Sequence, residues 1–296
     1  MIGIVIGVFL VGWAARSRIE VPARVLSLAD SWVLRIALPA MVVSTMARIE
    51  IGADLVVPIA SAWGVMALCA AVIALVCRRA GWTRETTGAL LLVGVLGNTS
   101  FLGLGMTEGL LGREHLFAAV AYDQPGTFLA LATWGALVAS RWGSGGAGWR
   151  PVVTRLVTFP PFIALLVSIP VRRLSPPEPV WGILDALART VAPVAMAAVG
   201  LRFVPRLRGI GSPPVLVGVA VKMVLAPAAV ALAAVLAGAW GETAWESSIL
   251  QAAAPPMASA GLLAVAASLD EDVSTTLVGL GTLAAFAWVP LVSLLL

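Results

Sequence analysis

Gly97-Asn98-Thr99-Ser100-Phe101-Leu102-Gly103 lies in the middle of an apolar stretch that runs from about Thr86 to Leu111. At about 1.5 Å per residue, Asn98 is about 18 Å into the stretch, near the middle of a hydrocarbon layer about 30 Å thick. One interpretation is a polar side chain that hydrogen-bonds a neighbouring helix, with the glycines allowing close packing. The interpretation we prefer is a broken helix whose freed backbone groups line a substrate or ion site.

The composition excludes a water-soluble globular protein. Of the 296 residues 60% are hydrophobic and 11% are charged, and the mean hydropathy is +1.01. So many apolar residues cannot all be buried inside a soluble globule of this size, which predicts a polytopic membrane protein. Ten apolar spans near transmembrane length can be drawn, at about 1–15, 27–47, 55–77, 86–111, 116–140, 153–170, 180–201, 213–239, 245–269 and 273–296.

The arginines predict the orientation of these spans. Loops after odd-numbered spans hold more of them than loops after even-numbered spans, so the positive-inside rule places the former in the cytoplasm. Both termini are then outside, and the chain is expected in the inner cell membrane with the lipid bilayer as its partner. The net charge of +4 is spread among the loops and forms no patch for nucleic acid.

The chain has few residues that could bind a metal or form a disulfide. Cys69 and Cys77 are eight residues apart on one span, too far to bridge, and are expected to be packing residues. The single histidine, His115, is expected in a solvated loop, and no second His or Cys near it suggests a metal site. We expect no cofactor apart from a coupling ion such as H⁺ or Na⁺.

Two stretches with matching residues indicate an internal repeat. Arg35 and Pro39 in the second span are followed by Arg189 and Pro193 in the seventh, 154 residues later. Five spans are an odd number, so the second half must enter the membrane from the opposite side and the repeat is inverted. The predicted organisation is a first repeat at 1–140, a cytoplasmic linker at 141–152 and a second repeat at 153–296.

The same offset finds a counterpart for the opening stretch. Adding it to 97–103 gives 251–257, in the ninth span, which contains Pro255 and Pro256. Adjacent prolines remove two backbone donors and should break this helix too. Paired breaks in two inverted halves are typical of a transporter site. The predicted fold is therefore an all-α membrane protein of ten transmembrane helices, in two inverted repeats of five, with broken crossing helices four and nine.

Several charged residues lie inside the predicted spans. The only lysine, Lys222, and Asp123, beside the only tyrosine, are expected to couple transport to protons or ions. A static partner for helix carbonyls is the alternative for Lys222, and a wetted helix end is the alternative for Asp123. Arg35 and Arg189 suggest a shared structural role, or a countercharge for an anionic substrate. Asp185 is expected to pair with Arg189 one turn away.

The sequence resembles the auxin efflux carrier family of membrane transporters, whose bacterial members include malate- and malonate-type permeases. The residues that carry the resemblance are Leu38-Pro39-Ala40, Gly97-Asn98-Thr99-Ser100-Phe101-Leu102-Gly103, Tyr122-Asp123, Lys222 with Pro227, and Pro255-Pro256-Met257 with Ser259. One departure is Gly105, where the family usually has proline, so the fourth helix should break more flexibly than in relatives.

The resemblance implies a ten-helix fold akin to that of the bile acid/sodium symporters. Helices four and nine would cross in a transport domain, with spans one, two, six and seven as a scaffold. It implies a secondary transporter of small organic anions such as carboxylates, working by alternating access; a homodimer is also considered. The expected substrate contacts are Asn98, Thr99, Ser100, Pro255, Pro256 and Ser259.

Two alternatives are weighed against this function. A Na⁺-coupled symporter of the bile acid type would use Thr99, Ser100 and backbone carbonyls as oxygen ligands. An intramembrane enzyme would need paired membrane aspartates with a Gly-x-Gly-Asp motif, or a His-Glu-x-x-His motif, and the chain contains neither. It also contains no Walker A motif, so we expect transport driven by gradients and no enzymatic activity.

Overall fold

A computed structural model describes residues 2–16, 22–48, 55–143, 154, 158–174, 176–202 and 209–296. These residues form helices joined by short turns, together with one isolated antiparallel bridge between Gly97 and Pro256. The α-helices are α1 (Ile2–Arg16), α2 (Ala23–Trp32), α3 (Leu38–Met46), α4 (Val56–Ala80), α5 (Arg84–Val93), α6 (Leu104–Leu110), α7 (Leu116–Tyr122), α8 (Ala136–Trp142), α9 (Pro160–Leu174), α10 (Glu178–Ala188), α11 (Val191–Arg202), α12 (Pro213–Val219), α13 (Ala226–Leu236), α14 (Thr243–Ala252), α15 (Ala258–Ala266) and α16 (Glu271–Ser293). Single π-helical segments lie at Val33–Ala37, Thr99–Gly103, Asp123–Phe128, Leu131–Gly135 and Ala220–Leu225.

Within the described residues, five helices are long and apolar enough to cross a membrane without interruption. They are Arg24–Met46, Val56–Ala80, Glu178–Leu201, Pro213–Leu236 and Glu271–Ser293. The other predicted spans are helical but shorter or interrupted, as α1 and the pairs α5 with α6 and α14 with α15 show. The chain is therefore an all-helical, multi-pass membrane protein. Of the predicted linker, only 141–143 lies within the described residues, where Arg141 and Trp142 complete α8.

Both predicted helix breaks are present. Helix α5 ends at Val93, and the chain becomes helical again only at Thr99; α14 ends at Ala252, and α15 begins at Ala258. Each break leaves backbone groups without helical partners, which must be satisfied because no water reaches the centre of a bilayer.

The two breaks satisfy each other. The Asn98 amide donates to the Pro255 carbonyl at 2.7 Å, and the Met257 amide donates to the Leu96 carbonyl at 2.9 Å. These two bonds run in opposite directions between the segments and make the antiparallel bridge at Gly97 and Pro256. We call residues 94–103 and 251–257 together the crossing.

The helices pack in two groups, and the scaffold group consists of α1, α2, α3, α9, α10 and α11. Its helices α1 and α11 touch through glycine on each side. A Cβ on Gly12 would lie 2.9 Å from the Ala197 carbonyl oxygen, and one on Gly200 would lie 2.3 Å from the Phe9 oxygen. Glycine thus permits the backbones to approach as closely as small-residue contacts do in membrane helices.

The remaining helices, α4 to α8 and α12 to α16, surround the crossing, and we call them the crossing group. The two groups meet mainly where α11 packs on α6 and on the segment Thr99–Gly103, where α1 packs on α6, and where α3 packs on α7. This division matches the one that the family resemblance implies.

Side-chain contacts connect the helix ends at each of the two ends of the bundle. At one end, Arg16 donates to the Leu201 carbonyl and Thr86 donates to the Asp270 carboxylate. At the opposite end lie Arg48 and Asp185, which contact each other, and His115, which contacts Glu246. Helices of both groups therefore reach both ends, as a bundle that crosses a bilayer requires.

Candidate functional site

The first half of the crossing is held by a buried carboxylate. Asp123 begins the π-helical segment Asp123–Phe128 and is 0% exposed. It accepts hydrogen bonds from Thr99 Oγ1 at 2.5 Å and from Ser100 Oγ at 2.7 and 2.8 Å. Gln124 Nε2 adds a third donor at 2.6 Å. Three donors around one carboxylate are what a buried anion needs to offset its lost hydration.

The second half of the crossing is held by a buried ammonium group. Lys222 lies in the π-helical segment Ala220–Leu225, and its Nζ donates to the Ala252 carbonyl oxygen at 2.6 Å. Its side chain passes against Gly97, where an added Cβ would lie 3.2 Å from Nζ and 3.0 Å from Cε. The absence of a side chain at Gly97 therefore makes room for Lys222 at the crossing.

Local sequence explains why both charged residues occupy π-helical segments. Pro125 and Pro227 have no backbone N–H, so each leaves a carbonyl of the preceding turn without its helical partner. The wider π turn that results is common at functional sites. Trp63 Nε1 donates to the Pro125 carbonyl at 3.0 Å, which satisfies one acceptor near this distortion.

Each charge matches the helix end that it contacts. Thr99 and Ser100 are the first residues of the helical segment that continues into α6, and the N-terminal end of a helix carries a partial positive charge. Ala252 is the last residue of α14, and a C-terminal end carries a partial negative charge. Asp123 and Lys222 therefore each stabilise one end exposed by a break.

A small cavity lies between these two contacts. It has a volume of about 10 Å³, and its lining residues are Val65, Met66, Val95, Gly97, Thr99, Tyr122, Thr127, Lys222 and Gln251. A cavity that holds one water needs roughly 10–15 Å³. In this conformation the cavity therefore has room for about one water molecule and none for an organic anion.

The sequence-predicted residues differ in where the structure places them. Thr99 and Ser100 lie together at Asp123, and Asn98 pairs with Pro255 through its backbone. Pro256 packs against α16 at Gly281, where an added Cβ would lie 2.3 Å from the proline Cδ. As substrate contacts, these residues remain predictions.

Ser259 lies apart from the others. It is exposed in the first turn of α15 and does not line the cavity. Ser259 was predicted because it follows the two prolines in the family motif. The direction of its side chain, however, depends on how α15 packs. In this conformation Ser259 is not brought to the crossing.

Two residues at the crossing are missing from the predicted site. The chain contains one asparagine, Asn98, and two glutamines, Gln124 and Gln251. All three lie at or beside the crossing. Gln251 is fully buried, its Nε2 is 3.5 Å from the Ala119 carbonyl oxygen, and its Oε1 has no hydrogen-bond partner among the described residues. Both glutamines share the signal that singled out Asn98, a carboxamide inside an apolar span.

Two expectations about residues outside the crossing are wrong. His115 is not solvated: it is 8% exposed, and its Nε2 is 2.9 Å from Glu246 Oε2, because α14 packs over the loop. Asp185 does not turn to Arg189. Its two carboxylate oxygens contact Arg48 at 2.9 Å and Arg113 at 3.7 Å, since neighbouring helices bring these guanidinium groups to it.

The two cysteines were expected to be packing residues, and Arg35 and Arg189 were considered as countercharges for a substrate. Cys69 and Cys77 are both buried and free, as packing residues are. Cys69 Sγ lies 3.8 Å from the Val221 carbonyl oxygen, next to Lys222 in the chain. Arg35 and Arg189 are exposed, on the segment Val33–Ala37 and in the turn between α10 and α11, so neither lines the cavity.

Comparison with known proteins agrees with this architecture. Residues 149–293 match the family described as "Membrane transport protein". An uncharacterized transporter of Methanothermobacter thermautotrophicus is 28% identical over 269 residues, 89% of this chain and 87% of that protein. A protein of Rhizobium meliloti named "putative malonate transporter" is 27% identical over 264 residues, 84% of this chain and 80% of its own length. These matches indicate a membrane transporter and not an enzyme, and they are consistent with the auxin efflux carrier family that the crossing motifs resemble.

Proposed function

We propose that this chain is a secondary transporter that moves small organic anions, carboxylates in particular, across the membrane by alternating access. The observation that carries the proposal is the crossing itself. Two interrupted helices meet in the interior of the molecule, and each exposed helix end is matched by an opposite charge from a neighbouring span. Interrupted helices that meet near the bilayer centre provide backbone dipoles for ligand binding without an exposed polar surface.

The substrate class is inferred from two facts. One relative is named for malonate, a dicarboxylate. The cavity at the crossing contains the ammonium group of Lys222, and a cation in a low-dielectric interior favours an anion. Because the cavity has room for about one water, substrate entry requires the helices around it to separate, which is what alternating access supplies.

We further propose that coupling, where present, involves Asp123 and Lys222 and is more consistent with protons than with Na⁺. A Na⁺ ion at the C-terminal end of α14 would use its carbonyl oxygens, and the Lys222 ammonium group already contacts the Ala252 oxygen. The contact of Lys222 with Ala252 thus counts against a Na⁺ ion at this helix end, as a symporter of the bile acid type would place it.

The proposal includes a membrane topology and a homodimeric assembly. Ten spans in two inverted repeats of five place both termini outside, with the end that carries Arg16, Arg84 and Arg141 in the cytoplasm. Labelling of single cysteines introduced at Glu114 and at Arg79 in intact cells would distinguish the two sides. A homodimer is included, and native mass measurement of the purified protein tests it.

The experiment that tests the function is uptake into proteoliposomes. Labelled malonate, other dicarboxylates and monocarboxylates are supplied with and without Na⁺ and with an imposed pH gradient. We expect saturable uptake of at least one carboxylate, and a loss of about tenfold or more in Asn98→Ala, equivalent to about 1.4 kcal/mol of lost ligand interaction. Thr133→Ala is the control, since Thr133 is an exposed span residue that bonds only within its own helix.

Two results would contradict the proposal. If Asn98→Ala transported like the wild type, the crossing would not be the substrate site. If no carboxylate was bound or transported by the folded protein, the substrate class would be wrong. Thermal unfolding in detergent should be nearly the same for both variants, because Asn98 contacts Pro255 through its backbone, which the substitution retains.

A further inference from the structure

Arg113 forms an ion pair that joins the crossing group to the scaffold group. The hydrogen bonds at the crossing and the ion pairs Arg48 with Asp185 and His115 with Glu246 each join residues of one helix group. Arg113 lies in the short 3₁₀ turn Arg113–His115 of the crossing group. Its NH2 atom lies 3.7 Å from Asp185 Oδ1 on α10, in the scaffold group. This ion pair therefore spans the boundary between the groups.

The other contact of Arg113 leads back toward the crossing. Its Nε atom lies 3.5 Å from Glu108 Oε1, on α6. Helix α6 continues directly from the turn Thr99–Gly103, whose first two hydroxyls bond Asp123. Glu108 and Arg113 are thus joined to the crossing by one short helix. A displacement of the crossing relative to the scaffold would move Arg113 relative to Asp185.

Asp185 is a fixed acceptor. Arg48, which follows α3 in the same scaffold group, donates from NH1 to Asp185 Oδ2 at 2.9 Å, and its guanidinium carbon lies 4.6 Å over the ring of Trp181. This contact binds the Asp185 carboxylate from within the scaffold group, through the oxygen that Arg113 does not contact. A guanidinium group can serve two carboxylates at once because its donors are arranged in a rigid planar fork.

The burial of the two carboxylates indicates which of the two Arg113 contacts can break at lower cost. The side chain of Glu108 is 8% exposed and that of Asp185 is 22% exposed, whereas Arg113 is 41% exposed. Ion pairs in such partly shielded positions are screened less by salt than surface pairs. An Arg113 that stayed at Glu108 but left Asp185 would still neutralise the buried carboxylate. The contact that can break at low cost is therefore the one between the two groups.

We propose that Arg113 is a positioning residue: it holds the crossing group against the scaffold group in the conformation described here, and its separation from Asp185 accompanies the change to the other conformation. The inference rests on the proposed alternating access. It assigns to Arg113 an effect on the balance between the two conformations and no contact with the substrate.

The test measures conformation without substrate. Spin labels are attached at Glu114→Cys, in the crossing group, and at Val180→Cys, exposed on α10, with Cys69 and Cys77 replaced by alanine. Arg113→Gln removes the bridge between groups. Arg48→Gln is the matched control, since it removes the same charge from the same carboxylate within one group.

We expect Arg113→Gln to lower the population of the short-distance conformation about two- to fivefold, as for the loss of a partly exposed ion pair. Arg48→Gln should leave the distance distribution nearly unchanged, and Arg113→Lys should give an intermediate result because the charge remains without the fork. Uptake should show a changed maximal rate in Arg113→Gln with little change in KM, since no substrate contact is removed.

The proposal is overturned if Arg113→Gln leaves the distances unchanged, or if Arg48→Gln shifts them equally. The second result would mean that the charge on Asp185 matters and the bridge does not. A shifted distribution in a protein that transports no carboxylate would count against the proposed function and leave the bridge intact. Melting temperatures of all three variants, with Arg113→Lys as the conservative one, identify any loss of folding.

Discussion

The two breaks that meet at the crossing achieve the same geometry with opposite chemistry. The first break ends at the polar residue Asn98, and the helix resumes with two more polar residues, Thr99 and Ser100, beside the carboxylate of Asp123. The second break, at 253–257, consists of alanines, two prolines and a methionine, and the helix before it ends at the ammonium group of Lys222. One break presents an N-terminal helix end to an anion, and the other presents a C-terminal end to a cation.

This difference teaches that interrupting a helix is not enough to make a stable site inside a membrane. A glycine-rich sequence or a pair of prolines can break the helix, but each break leaves a partial charge in a low-dielectric interior. Here a residue from a different span offsets each partial charge. The variants below test whether the two compensations are independent, beginning with the largest expected effect.

Removal of the anion should have the largest effect. Asp123→Ala leaves the donors of Thr99, Ser100 and Gln124 buried without their acceptor, so we expect a loss of about 3–5 kcal/mol in unfolding free energy and of nearly all transport. Asp123→Asn keeps the shape and one acceptor oxygen and should lose about 1–2 kcal/mol. Chemical denaturation in mild detergent, paired with uptake assays, measures both. Equal stability of Asp123→Ala and the wild type would show that the carboxylate does not hold the first break.

Removal of the Lys222 ammonium group should have a smaller effect, because its contact at the second break is one hydrogen bond, to the Ala252 carbonyl oxygen. Lys222→Met keeps the length of the side chain but leaves the Ala252 carbonyl without its donor, for an expected loss of about 1–3 kcal/mol. Ala252 and the end of α14 should then become more mobile, which hydrogen exchange of the following amides would show. If the double variant with Asp123→Asn loses only the sum of the two single losses, the compensations are independent.

The smallest of the three effects concerns the space between the breaks. A Cβ on Gly103 would lie 2.1 Å from Gln251 Oε1, so Gly103→Ala forces the buried carboxamide aside and should cost about 1–2 kcal/mol. The matched control is Gly64→Ala in α4, where an added Cβ has no atom within 4 Å, and alanine there should be neutral or slightly stabilising. A melting temperature for Gly103→Ala equal to that of Gly64→Ala would mean that Gln251 is free to move away.

The sequence predicted the parts of the fold that depend on local chemistry. The breaks near Asn98 and at Pro255 follow from glycine and proline within apolar spans, because backbone preferences act over a few residues. The burial of Asp123 and Lys222 was predicted for the same reason, since a charge deep inside an apolar span has no local route to water. The helix bounds were less accurate, and α5 and α14 end well before the drawn spans 86–111 and 245–269 do.

What failed was pairing between distant residues. His115 was expected in a solvated loop because it lies at the outer end of the fourth predicted span, but its environment is set by Glu246, which lies 131 positions later. Asp185 was expected to pair within its own helix, yet Arg48 and Arg113 reach it from other helices. Ser259, predicted from the family motif, is exposed on α15 in this conformation, and its role as a substrate contact stays a prediction.

The amino-acid sequence by itself determined that the chain is a multi-pass membrane protein, where its helices break, and which polar residues lie within the apolar spans. These properties depend on composition and on backbone preferences that act over short stretches. Only the tertiary structure decided that Asp123 holds the first break, that Lys222 caps α14, and that Arg113 joins the crossing to the scaffold. Hydrogen bonds and ion pairs act over a few ångströms in space, so the packing of distant helices selects their partners.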